Sequence, residues 1–250
     1  MVQTLTIDFS WNDKLMESFL PIILTLVAFI IYWFIAKSEK VKAVFYQHHN
    51  QDEASLRHIT FTRIIGFLSM GVFPAIICLL LIPRYSLPAY GLMFRNETSL
   101  FSVLCILALA VIVIPTTYFN ARKPKNLVNY PQVRAKTWTK RIVIIYTLSW
   151  VFYLFGYEFL FRGILLFPLV ATLGTWPAIS INVAIYSATH IPKGLEETIG
   201  AILLGLVLCI LTLLSGTIWI AFVVHVIIAL TNSFTALKFH PDMHFRNSTV

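Results

Sequence analysis

Six stretches of this sequence contain no Asp, Glu, Lys or Arg: residues 18–36, 64–83, 98–121, 142–157, 163–189 and 198–237. Crossing the ~30 Å hydrocarbon core of a bilayer takes about 20 apolar residues, because a helix rises ~1.5 Å per residue. Inside lipid every backbone N–H and C=O needs a partner within the protein, so segments of this kind fold as helices. The expected fold is all-α, a polytopic transmembrane helical bundle of about seven spans. They are read over 18–37, 62–83, 99–120, 142–173, 176–190, 198–214 and 217–237. The 142–173 stretch is long enough for one tilted helix or for two pieces meeting near Gly163. Charged residues make up 12% of the chain, about half the share of a soluble domain, which agrees with that class.

The polar segments divide the chain into four parts. Residues 1–121 carry the first three membrane helices, 122–141 a basic linker, 142–237 a helical core and 238–250 a polar tail. Lys37, Lys40, Lys42, Arg57 and Arg63 lie between the first two spans, and Arg122, Lys123, Lys125, Arg134, Lys136, Lys140 and Arg141 between the third and fourth. Only Arg84 and Arg95 lie between the second and third. That alternation puts the N-terminus outside and the two basic loops in the cytoplasm. Anionic lipid headgroups are the partners such loops attract, so the net charge of +8 calls for no nucleic acid. Asp8, Asp13 and Glu17 precede the first run, where a signal peptide would be positive, and no small-x-small site follows. The first run is thus expected to be a permanent helix.

Other features read as background. Cys78, Cys105 and Cys209 sit in apolar runs and behave as small hydrophobes. The segment "HHNQDE" (48–53) is expected to be a solvated cytoplasmic loop, and His240 and His244 to lie in a frayed tail. Lys193 and Glu197 are spaced as a surface pair, and Glu196 and Glu197 fit the first turn of a helix. Asn96-Glu97-Thr98 and Asn247-Ser248-Thr249 match the glycosylation triplet, a pattern frequent by chance.

From residue 142 to 192 the only side chains able to carry charge are Glu158, Arg162 and His190. An ionisable group within a span costs roughly 2.5–3.5 kcal/mol on insertion scales, so each needs a reason to be there. Glu158 and Arg162, at i and i+4 in "GYEFLFRG", are placed to pair on one helix. His190 closes "YSATH", four residues after Tyr186. His225 lies in the last span, with Asn232 two helical turns beyond it on the same face. A structural salt bridge and two packing histidines would be the plain reading. Four such groups on three spans fit a shared inward cavity better, because polar groups in a bundle turn inward and seek one another.

Two histidines and a carboxylate match the ligand count of a catalytic zinc. Arg162 already engages the glutamate, however, and no HExxH helix is present, so a metal is the less favoured reading and no other cofactor is implied. The alternative is a water held between Glu158 and His190 for attack on a carbonyl, with His225 and Asn232 steadying the oxyanion.

The order and spacing of "YEFLFRGILL", "YSATHIPKG" and "HVIIALTN" resemble the CPBP family, over about residues 130–237. These are the prenyl-protein (CAAX) type II proteases and their bacteriocin-processing, Abi-like relatives. The family's pattern is EExxxR, then FxxxH, then HxxxN or a close variant, on successive helices. The resemblance implies an intramembrane glutamic endopeptidase of the bacterial cell membrane, acting on a polypeptide that is prenylated or otherwise membrane-associated. It implies that Glu158 takes the place of the second glutamate, Arg162 that of the arginine, and His190 and His225 those of the two histidines. Three positions depart from the pattern. Tyr157 replaces the first glutamate, Tyr186 the phenylalanine and Ala229 the asparagine, with Asn232 as a possible substitute one turn away. The Tyr157 exchange also admits a non-catalytic member, a membrane-embedded binding or immunity protein using the same cavity.

Overall fold

Helix α1 (Asp13–Ala36) starts where the Asn12 side chain accepts a hydrogen bond from the Leu15 backbone N–H, closing one of the free donors of the first turn. A computed structural model describes residues 10–246. Asp8 and the triplet Asn247-Ser248-Thr249 therefore lie outside the described residues. After α1 comes α2 (Glu39–His48), capped by Ser38 and with no buried residue. Then α3 (Gln51–Gly66), capped by Asn50, passes through a π-helical segment, Phe67–Val72, into α4 (Phe73–Leu81), forming one continuous helix Gln51–Leu81. Helix α5 (Asn96–Ala121) and the single turn α6 (Pro124–Leu127) lead to a two-residue strand β1 (Thr137–Trp138). Helix α7 (Lys140–Glu158), a π segment Phe159–Leu165 and α8 (Leu166–Leu173) form a second continuous helix, Lys140–Leu173. Helices α9 (Thr175–Ala188), α10 (Leu195–Ser215) and α11 (Trp219–Phe239) complete the bundle. Strand β2 (His244–Phe245) pairs with β1 in parallel.

Six helices among the described residues are long and apolar enough to cross a membrane. The chain is a multi-pass integral membrane protein. The seventh segment expected from the sequence is α9, which has 14 helical residues. At ~1.5 Å per residue it reaches about 21 Å, short of the bilayer core. The 142–173 stretch is one helix, with the π segment centred near Gly163 where a break was an option.

Lys140–Leu173 is the hub. In its most apolar window 78% of residues are buried, against 6% in α5, which forms the lipid-facing rim on α11. Small residues let the hub and the Gln51–Leu81 helix touch. A Cβ on Gly71 would come within 2.8 Å of Gly156 Cα, and one on Gly156 within 3.0 Å of Phe67 Cα. Close backbone approach of this kind is how helices pack where no hydrophobic effect drives them together.

Long-range bonds sort the loops to two ends. At one end Arg84 pairs with Glu17, Thr98 donates to the Ser215 carbonyl (2.8 Å) and Trp219 Nε1 donates to the Met93 carbonyl (2.9 Å). At the other end Asp52 accepts from the Lys136 backbone N–H (3.0 Å), Arg141 pairs with Glu53 (2.8 Å) and Lys125 pairs with Glu196.

Four expectations change here. The 48–53 stretch is not a solvated loop: His48 ends α2, Asn50 caps α3, and Asp52 and Glu53 fasten the linker. The tail is not frayed up to Arg246, since β2 pairs with β1 and His240 contacts Arg134 (3.3 Å). Arg63 does not lie in a basic loop. It is buried inside α3 between the rings of Tyr146 (4.3 Å) and Trp150 (4.0 Å), and it donates to Ser149 Oγ (2.8 Å) and Gln132 Oε1 (3.0 Å). Glu17, read as preceding the first span, is buried within α1. Lys193 and Glu197 do pair, at 3.9 Å, and Glu196 and Glu197 stand in the first turn of α10.

Candidate active site

Glu158 is the last residue of α7, and the π segment begins immediately after it. A π turn bonds i to i+5 and widens the helix, a feature that recurs at functional sites. Here it places Arg162 in the wide turn while a neighbouring carbonyl, that of Phe161, accepts from the Asn182 side-chain amide (2.6 Å) of α9. The same Asn182 presents Oδ1 to Arg162 Nη1 (2.6 Å) and to the Cys209 thiol of α10 (3.2 Å). The Arg162 guanidinium lies over the Tyr186 ring at 4.5 Å. Asn182 thus ties three helices around the cation.

Glu158 and Arg162 are both fully buried. Their approach, Oε2 to Nε at 3.4 Å, is an ion pair; neither atom has a hydrogen-bond partner among the described residues. The other carboxylate oxygen, Oε1, lies 2.6 Å from His225 Nδ1 of α11. A carboxylate oxygen only accepts, so the shared proton sits on Nδ1 and Nε2 is the ring nitrogen turned away from Glu158. Glu158 is held from one side by a guanidinium and from the other by an imidazole.

His190 takes a different route into the cluster. Its Nδ1 lies 3.1 Å from both the Tyr186 carbonyl and Thr189 Oγ1. Thr189 Oγ1 is 2.8 Å from the Tyr157 hydroxyl and donates to the Tyr186 carbonyl at 2.7 Å. The Tyr157 ring stands edge-on to the His225 ring, centroids 5.6 Å apart. Tyr157 is thus the link between the Glu158–His225 half of the cluster and the His190 half.

The structure brings Glu158, Arg162 and His225 into direct contact and joins His190 to them through Thr189, Tyr157 and Tyr186. Among the described residues no hydrogen bond or ion pair joins His190 to Glu158, whose Oε1 bonds His225 directly. Asn232 forms no hydrogen bond to any of these groups among the described residues. Asn182, Thr189 and Cys209 were missed in the sequence, because neutral polar residues in apolar runs carry no cost signal. No three His, Cys, Asp or Glu side chains among the described residues are grouped so as to share a metal ion.

No curated protein and no solved structure matches the chain. Residues 139–231, the stretch that carries every side chain of this cluster, match the family model described as type II CAAX prenyl endopeptidase Rce1-like, consistent with the CPBP family.

Proposed function

We propose that the chain is an intramembrane endopeptidase that hydrolyses a peptide bond with a water activated by the Glu158–His225 pair. The observation that carries this reading is the 2.6 Å contact between a fully buried carboxylate and an imidazole inside a membrane-embedded bundle. Such a carboxylate orients the ring, fixes its tautomer and stabilises the imidazolium that forms when Nε2 takes a proton. In the proposed step the water oxygen attacks the scissile carbonyl carbon as its proton passes to His225 Nε2. Collapse of the adduct breaks the C–N bond, and His225 returns the proton to the leaving amine. His190, the second imidazole, accepts the water's other proton in a hydrogen bond and so orients its lone pair. Arg162 keeps Glu158 charged and in place rather than touching the substrate.

The reading includes no resident metal and a polypeptide substrate that is prenylated or otherwise membrane-associated. It also places the N-terminus outside, the basic end of the bundle in the cytoplasm and anionic headgroups against that end, in a bacterial membrane. Turnover of a quenched peptide library, farnesylated and unmodified, by the purified protein with and without a chelator tests it. Cleavage that persists in chelator supports it.

The second reading is a non-catalytic binding or immunity protein. Its favouring observation is Tyr157, a phenol already engaged with Thr189, where the family motif has its first glutamate. Binding of a partner with no cleavage of any peptide would select this reading.

A further inference from the structure

His190 carries an assignment that its neighbours decide. A backbone carbonyl can only accept, so the 3.1 Å approach of Nδ1 to the Tyr186 carbonyl requires the proton on Nδ1. Thr189 has one hydroxyl proton, and it goes to the same carbonyl at 2.7 Å. The Thr189 oxygen is then an acceptor for its two remaining neighbours, the Tyr157 phenol (2.8 Å) and His190 Nδ1–H (3.1 Å). This assignment satisfies every contact in the four-group network. His190 Nε2 bonds no described residue, so in the neutral ring it carries a free lone pair.

We propose that Thr189 is a positioning residue of this site: its hydroxyl, held by the Tyr157 phenol, fixes the His190 ring with Nδ1 protonated and Nε2 available as an acceptor. Tyr157 then has a defined task in place of the glutamate it replaces. It is the donor that saturates Thr189 and couples the His190 side of the cluster to the Glu158–His225 side. The assignment rests on the endopeptidase reading only for its effect on turnover; the tautomer itself does not depend on it. At metal-bound histidines an outer partner that fixes the tautomer contributes roughly 10–100-fold, and that scale sets the effect expected here.

The test combines the ring nitrogens with kinetics. Protein labelled with 15N-histidine is studied by NMR in detergent micelles, His190 being assigned by the signal lost in His190→Gln. The expected parent spectrum has a protonated Nδ1 and an unprotonated Nε2. Thr189→Ala is expected to shift the Nδ1 resonance, since one of the two acceptors facing the Nδ1 proton is lost. It should lower kcat by at least about tenfold with KM little changed, and Thr189→Ser should restore both. Tyr157→Phe, which keeps the ring and Thr189, is expected to shift the same resonance and serves if the alanine variant does not fold. A protonated Nε2 in the parent overturns the proposal, as does a parent-like His190 spectrum in both Thr189→Ala and Tyr157→Phe. If the nitrogen signals behave as expected while the parent cleaves no peptide, the positioning stands and the endopeptidase reading falls.

Discussion

Arg162 has two dependants. It balances the buried Glu158 carboxylate, and its Nη1 satisfies Asn182, which in turn holds the Phe161 carbonyl and the Cys209 thiol. Removing one member of a buried pair leaves the other charge uncompensated and costs about 3–5 kcal/mol. Arg162→Ala should therefore lower the thermal midpoint in detergent by many degrees, and Arg162→Lys should recover only part, since an ammonium lacks the planar fork. An unchanged midpoint in the alanine variant would show that the pair is solvated. Asn182→Leu should cost about 1–3 kcal/mol by stranding a buried guanidinium donor and a carbonyl. The charged members of this cluster were legible in the sequence because an ionisable group in an apolar run demands an explanation. Thr189 and Asn182 were not, since a hydroxyl or amide sits in a membrane helix at little cost and betrays itself only through its partners. Arg63 misled for the opposite reason: two aromatic rings and three acceptors make a buried guanidinium tolerable without any carboxylate.

The two long helices depend on each other's glycines. Gly71→Ala would drive a methyl to 2.8 Å from Gly156 Cα, backbone that cannot step aside. Overpacking of this kind costs about 1–3 kcal/mol. Gly200→Ala in α10 is the matched control, because nothing lies within 4 Å of its added carbon. There the gain in helix propensity, about 1 kcal/mol, should leave the protein as stable or more so. Equal midpoints for the two variants would argue against the close crossing. The spans themselves were readable to within a few residues from the uncharged runs. What the runs hid was length: the second helix begins at Gln51, well before the apolar stretch, and α9 has only 14 helical residues. Strands of two residues have no period to read, so the pairing of tail and linker left no trace in the sequence.

For the whole molecule, the bonds at the two ends separate residues 82–95 and 216–218 from residues 122–139 and 240–246. Cysteines introduced at Ser86 and Lys136 should react with an impermeant thiol reagent from opposite faces of sealed vesicles, Lys136→Cys from the cytoplasmic side. Labelling of both from one face would overturn the orientation read from the basic loops. The lipid-facing α5 and the buried hub also make the site a property of the complete bundle, since Glu158, Asn182, Cys209 and His225 come from four different helices. The central claim is that the buried carboxylate works through His225. Glu158→Gln keeps the size and one acceptor oxygen while removing the charge that stabilises the imidazolium. The direct measurement is therefore the rate at which folded parent and folded Glu158→Gln cleave a quenched peptide, in the presence of a chelator. The account predicts cleavage by the parent and a loss of at least about a hundredfold in the variant. Equal rates, or a parent silenced by the chelator alone, would contradict it.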